Sequence, residues 1–137
     1  VIFKKYSPMG EMGAVSAELA EALARTAGMS CAICDRDAVI AAAGGVKKDI
    51  LERSISSELE QLMERRECYE RGADEQPEVL ISSQDGCAVV AEAPIITDGD
   101  VSGCVAFVSE KEDEKADEVL LKLCQSAAQF LSKRIAV

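Results

Sequence analysis

Apolar residues recur at three- and four-residue intervals between Glu11 and Ala27, at Met12, Val15, Leu19 and Leu23, and Gly28 follows. That spacing predicts an amphipathic helix stopped by a residue able to take the left-handed conformation. Cys31-Ala-Ile-Cys34 and Ala38-Val-Ile-Ala-Ala-Ala43 are short apolar runs split by Asp35-Arg36-Asp37, which predicts two antiparallel strands joined by a hairpin. Gly44-Gly45 closes the second strand, and Lys47 to Leu51 allows a helical turn. Ser56 or Ser57 can then cap a helix running to about Arg66, with Ile55, Leu59, Leu62 and Met63 on one side. Cys68 to Glu78 is polar, contains Gly72 and Pro77 and follows neither period, so it is expected to be a surface loop. Val79 to Ser82, Cys87 to Ile96 and Val101 to Val108 are strand candidates, joined by tight turns at Asp85-Gly86 and Asp98-Gly99. From about Asp113 to Ile135 a last helix carries Ala116, Val119, Leu120, Leu123, Ala127, Phe130 and Leu131 on a face too broad for one contact. This order predicts an α+β fold, an antiparallel sheet of about five to six strands with the amino- and carboxy-terminal helices packed on one face.

Composition narrows the function classes. At 137 residues, 48% apolar and 29% charged, the chain has the size and make-up of one soluble domain with one core. Its formal charge is -10 and it has no histidine, so its surface as a whole repels a nucleic-acid backbone. The basic clusters, Lys47-Lys48 with Arg53 and Arg65-Arg66, are short and flanked by acids, as solvated helix ends are. No apolar run approaches the roughly 20 residues that cross a bilayer, and no signal peptide is evident, so a cytoplasmic location without membrane contact is expected. Residues 1–8 form a strand-like lead with no partner beside it, and residues 9–137 form the domain, which suggests a piece excised from something longer.

Val-Ile-Phe-Lys-Lys-Tyr-Ser-Pro at 1–8, Ile33-Cys34-Asp35-Arg36-Asp37, Lys47-Lys48-Asp49 with Ser54-Ile55-Ser56, Ala93-Pro94-Ile95 with Asp98-Gly99-Asp100, and Ala127-Ala128-Gln129-Phe130-Leu131 together resemble the stage V sporulation protein T family. The resemblance spans nearly the whole chain and is weakest between Glu64 and Ser83. It implies a carboxy-terminal GAF domain, with an antiparallel sheet, helices on one side and a pocket on the other. It also implies that residues 1–8 are the exit strand of an absent AbrB-type DNA-binding domain, through which alone DNA would be bound. The implied role is regulation of transcription during spore development, with GAF helices holding a tetramer together.

Two sets of residues are then candidates for function. Leu19, Leu23, Leu120, Leu123, Ala127 and Phe130, on the terminal helices, suit a homo-oligomer, a dimer or tetramer built as a helical bundle. Arg36 at the first hairpin, Lys47 and Lys48 after the second strand, and Tyr69 in the polar segment would border a GAF pocket mouth and suit an anionic small molecule. The alternative for these four is ordinary solvated surface, and a purely structural tetramerisation module that never binds a ligand fits the sequence equally well.

No resident cofactor, metal or catalytic residue is expected. Cys31 and Cys34 have the spacing of a zinc or redox motif, but residues three apart on a strand point to opposite faces. An enzymatic alternative remains, because some GAF-fold proteins reduce free methionine sulfoxide with thiols. Cys68, beside Arg65 and Arg66, would then be the nucleophile, and Cys87 or Cys104 would resolve the intermediate.

Overall fold

The first helix, α1 (Gly13–Ala27), ends where expected: Gly28 has a φ of 68° and donates its backbone N–H to the Ala24 carbonyl. The structure is a computed structural model and describes residue 9 and residues 12–72, 78–82, 87–111 and 116–135. The lead segment at 1–8 and the Asp85-Gly86 turn lie outside the described residues. Strands β1 (Ser30–Asp35) and β2 (Val39–Ala43) form the first hairpin. Asp35 shapes its turn, one carboxylate oxygen accepting from the backbone of Asp37 at 2.7 Å and of Ala38 at 2.8 Å. Helices α2 (Lys47–Ile50) and α3 (Ser57–Glu64) follow. Ser56 caps α3, its Oγ accepting from Leu59 N at 3.1 Å and donating to the Leu80 carbonyl at 2.6 Å.

The remaining elements are β3 (Tyr69–Glu70), β4 (Ala88–Thr97), β5 (Asp100–Ser109) and α4 (Glu118–Ile135). Asp98 and Gly99 join β4 to β5 with φ of 51° and 85°, the paired positive φ that a two-residue hairpin with the twist of its strands requires. All neighbours in the sheet are antiparallel and the strand order is β2-β1-β5-β4-β3, so β2 and β3 are its two edges.

Two expectations need correction. Val79 to Ser82 is not a regular strand but makes isolated bridges, Leu80 with Ala88 and Ser82 with Ile55, between β4 and the approach to α3. The segment from Cys68 is not all loop, because Tyr69–Glu70 adds an edge strand. Two residues are too few to display alternation, and their pairing with Glu92 and Ala91 is far away in sequence.

The sheet has two covered faces. On the first, Cys31, Ile33, Ala41, Ala43, Ala91, Ala93, Ile95, Val105 and Phe107 pack with Ala20 and Leu23 of α1 and with Leu120, Cys124, Ala127, Ala128 and Leu131 of α4. On the second, Ala32, Cys34, Val39, Ala42, Cys104, Ala106 and Tyr69 pack under Ile50 of α2, Leu59, Leu62 and Met63 of α3, and Val79 and Ile81. The terminal helices thus share one face as expected, and the middle helices close the other. A bulge at Val90 decides how β4 divides between them: Val89 packs on the second face, whereas Val90, Ala91, Ala93 and Ile95 pack on the first.

Candidate functional site

The bulge has a chemical consequence two residues later. Glu92 pairs in register with Ala106 on one side and Tyr69 on the other, both members of the second-face core, and cross-strand partners share a face. An acidic side chain is thereby turned into an apolar layer. Glu92 is 0% exposed, and neither carboxylate oxygen has a hydrogen-bond partner among the described residues. Burial pushes its carboxyl up to about 8 from the ordinary 4.5, and the nearby Glu67 adds to the effect. The Tyr69 hydroxyl next to it accepts from the Val79 backbone amide and makes no hydrogen bond to either Glu92 oxygen. Burial also raises the Tyr69 phenol, an effect that the neighbouring Arg71 opposes.

The thiols around this layer are buried. Cys34 and Cys104 face each other across β1 and β5 and their side chains are hydrogen-bonded, which together with burial lifts the Cys104 thiol far above its ordinary value. Burial pushes Cys31 up to about 12, and it raises Cys124 and Cys87 as well. Cys31 packs on the first face and Cys34 on the second, as strand geometry requires, so they do not converge. Among the described residues, no group of three or more acidic or cysteine side chains is placed to hold a metal ion.

Cys68 is exposed, unlike Cys87 and Cys104. It lines a groove of about 510 Å³ between the outer edge of β4 and α4, together with Arg66, Pro94, Gln125, Gln129 and Lys133. Gln125 donates to its sulfur at 3.6 Å. The two arginines expected to activate it are spent on backbone carbonyls: Arg66 donates to Gly99 at 2.7 Å and Arg65 to Gln61 at 3.4 Å. The strand edge in this groove is blunted against strand addition, because Pro94 lacks an N–H and Ser132 Oγ donates to the Ile96 carbonyl.

The four residues expected at a pocket mouth do not form one cluster. Arg36 is exposed in the β1–β2 turn, and Lys47 and Lys48 are exposed on α2, which follows β2. Tyr69 is in β3 at the opposite edge of the sheet and only 2% exposed. A single mouth combining the three cations with Tyr69 is therefore not formed, since three strands separate β3 from β2.

The helix residues divide differently. Leu23, Leu120 and Ala127 are buried within the chain's own first-face core, Leu19 and Leu123 are half-buried against it, and Phe130 is 46% exposed. Val119 joins Phe130 with 62% exposure. Ala116, Val119, Leu123, Ser126 and Phe130 follow one another at alternating intervals of three and four residues, the spacing of a coiled-coil seam.

Comparison with known proteins agrees with this architecture. Residues 11–136 match the family model described as "Stage V sporulation protein T C-terminal, transcription factor". Stage V sporulation protein T of Bacillus subtilis (strain 168) is 36% identical over 135 residues, covering 98% of this chain and 75% of that protein. Among solved structures, the GAF domain of an Acinetobacter phosphoenolpyruvate-protein phosphotransferase superposes with a TM-score of 0.65 at 13% identity, covering 91% of this chain and 82% of that one. The second GAF domain of DevS from Mycobacterium smegmatis gives 0.64 at 12% identity, over 89% and 91% of the two chains. The type II free methionine-R-sulfoxide reductase of Thermoplasma acidophilum gives 0.60 at 10% identity, over 90% and 94%. At such identities the structural likenesses establish the fold and leave the chemistry open. The chain belongs to the family of the carboxy-terminal domain of stage V sporulation protein T, a family of transcription factors, and it has the GAF fold.

Proposed function

We propose that this domain is the regulatory part of a sporulation transcription regulator, joining copies of the chain through α1 and α4 and sensing a small effector at the second face of the sheet. The observation that carries the assembly reading is the pair of bare apolar side chains on α4, Val119 and Phe130, in a stripe with coiled-coil spacing. Half-buried Val15 and Leu19 extend the apolar surface on α1, which packs beside α4. A second copy presenting the same stripe is its natural cover, because a self-complementary patch closes a two-fold dimer. Occupancy of the second face would reach the stripe through the sheet shared by both cores. The shift in assembly is bounded by the effector's differential affinity for the two packings.

DNA contact is left to a part of the regulator other than this domain, since a net charge of -10 makes this domain a poor match for phosphate. A cytoplasmic location fits that role, and among the described residues no helix is long and apolar enough to cross a membrane. The thiol-reductase alternative is disfavoured by the burial of both candidate resolving thiols, Cys87 and Cys104. Sedimentation velocity of the chain and of its Val119→Glu/Phe130→Glu double variant tests the assembly. The parent should sediment as a dimer or tetramer and the variant as a smaller species with unchanged circular dichroism. A parent that is monomeric at all concentrations rules the assembly out.

A further inference from the structure

The buried acid singles out a ligand class that the exposed cations do not. One register row crosses all five strands of the second face, running Ala42, Ala32, Ala106, Glu92 and Tyr69. Three neighbouring positions of this floor carry only methyl groups, and the fourth carries a carboxylate whose two oxygens have no hydrogen-bond partner among the described residues. The charged side chain that acts on it is another acid, Glu67, which opposes ionisation instead of stabilising it. Buried polar groups without partners are rare because each one costs folding free energy, and a methyl-bearing or amide side chain of similar size would avoid that cost. An unpartnered acid retained in this closed layer of small side chains is complementary to a group that brings both positive charge and N–H donors.

We propose that the second face binds a small molecule through a cationic nitrogen donor, an ammonium, amidinium or guanidinium group, that pairs with Glu92 over the alanine row. This rests on the sensor reading of that face and replaces the anionic effector suggested by Arg36, Lys47 and Lys48. The incoming cation exchanges with the proton held by the buried carboxyl: the carboxylic acid loses a proton to solvent, the ammonium or amidinium keeps its own, and the two N–H donors meet the two orphaned oxygens. Binding therefore strengthens as pH rises towards about 8, where the proton leaves unaided. Leu59, Leu62 and Met63 of α3 lie over this face, so entry requires α3 to lift, and Ser56 ties its first turn to the Leu80 carbonyl.

The test uses the whole chain and three probes at millimolar concentration, methylguanidinium, acetamidinium and, as the anionic control, acetate, followed by amide shifts in two-dimensional NMR. The expected result is saturable movement of the Ala91, Glu92 and Tyr69 amides with the two cations and none with acetate, tighter at pH about 8 than at about 6. Glu92→Gln, which keeps the shape and removes the charge, should weaken this by about tenfold or more. Ala106→Val should weaken it to a similar degree by crowding the row while leaving the carboxylate in place. Saturable binding that Glu92→Gln leaves unchanged, or movement of the same amides by acetate instead, overturns the cationic assignment and leaves the sensor reading standing. If no probe of either charge moves any second-face amide, both fall and the domain is an assembly module. Amide dispersion of each variant in the same spectra shows directly whether it is folded.

Discussion

The two faces of this sheet are built from the same five strands and use them in opposite ways. On the first, Phe107 stands in a row with Cys31 and Ala91, so one large ring fills the space that its small neighbours leave. On the second, the adjoining row holds alanines up to Glu92 and Tyr69, and the large side chains over it, Ile50, Leu59, Leu62 and Met63, come from α2 and α3 instead of from the sheet. The first face is closed and carries its unmet apolar surface outside, on α4. The second carries its unmet group inside, as a carboxylate. A face whose unmet surface is apolar and exterior is suited to meeting another copy, whereas a face that buries an unpartnered carboxylate is suited to admitting a small molecule.

The largest effect that can break this contrast is at Phe107. Its ring is 0% exposed, and truncation leaves a void that flanking Cys31 and Ala91 cannot fill. Phe107→Ala should therefore lower stability by about 3–5 kcal/mol, measured as the shift in urea midpoint at unchanged slope. A loss below about 1 kcal/mol would mean that the first face is loosely filled, and the distinction between the two rows would fail.

Much of this division was legible in the residues. Gly28, the Ser56 cap and the Asp98-Gly99 turn are local signals, and each acts through its own backbone neighbours. The helical period marks α1 and α4 as amphipathic, and both apolar stripes pack on the first face. What escaped is non-local. Tyr69 had to be paired with Glu92 before its segment could be recognised as a strand, and only the bulge at Val90 determines that Glu92 turns to the second face. A signal for Glu92 was nevertheless present, since it is the one charged residue of the ten in β4. Arg36, Lys47 and Lys48 are exposed cations, and exposed charge along a chain carries no information about which sheet edge will hold it or whether an aromatic such as Tyr69 will lie beside it.

Glu92 supplies the intermediate effect and sharpens the contrast through pH. Its folded-state carboxyl is lifted to about 8 from 4.5, so between those values the folded chain holds a proton that the unfolded chain has released. Stability is then full below the unfolded value and falls as pH rises, because the native state binds the extra proton. Between about pH 6 and about pH 8 the loss should be on the order of 2 kcal/mol. Glu92→Gln removes that slope, so the difference between parent and variant urea midpoints across the two pH values isolates this one group. Parallel slopes would show that the carboxyl is not held protonated, and the second face would lose its distinguishing feature.

The smallest effect tests the outside of the first face. Glu118 and Lys122 on α4 form an ion pair at 3.0 Å, with their side chains 79% and 69% exposed, on the turns that carry Val119 and Leu123. An exposed pair four residues apart on a helix contributes only about 0.3–0.5 kcal/mol. Lys122→Ala should therefore shift the urea midpoint barely at all when the protein is dilute enough to be monomeric. At concentrations where copies associate, a seam along Val119, Leu123 and Phe130 would cover part of this pair and withdraw it from solvent screening, so removing one partner should then cost clearly more than in the monomer. Equal, negligible losses at both concentrations would place any association surface away from this turn of α4, leaving Phe130 at its other end to carry the contact.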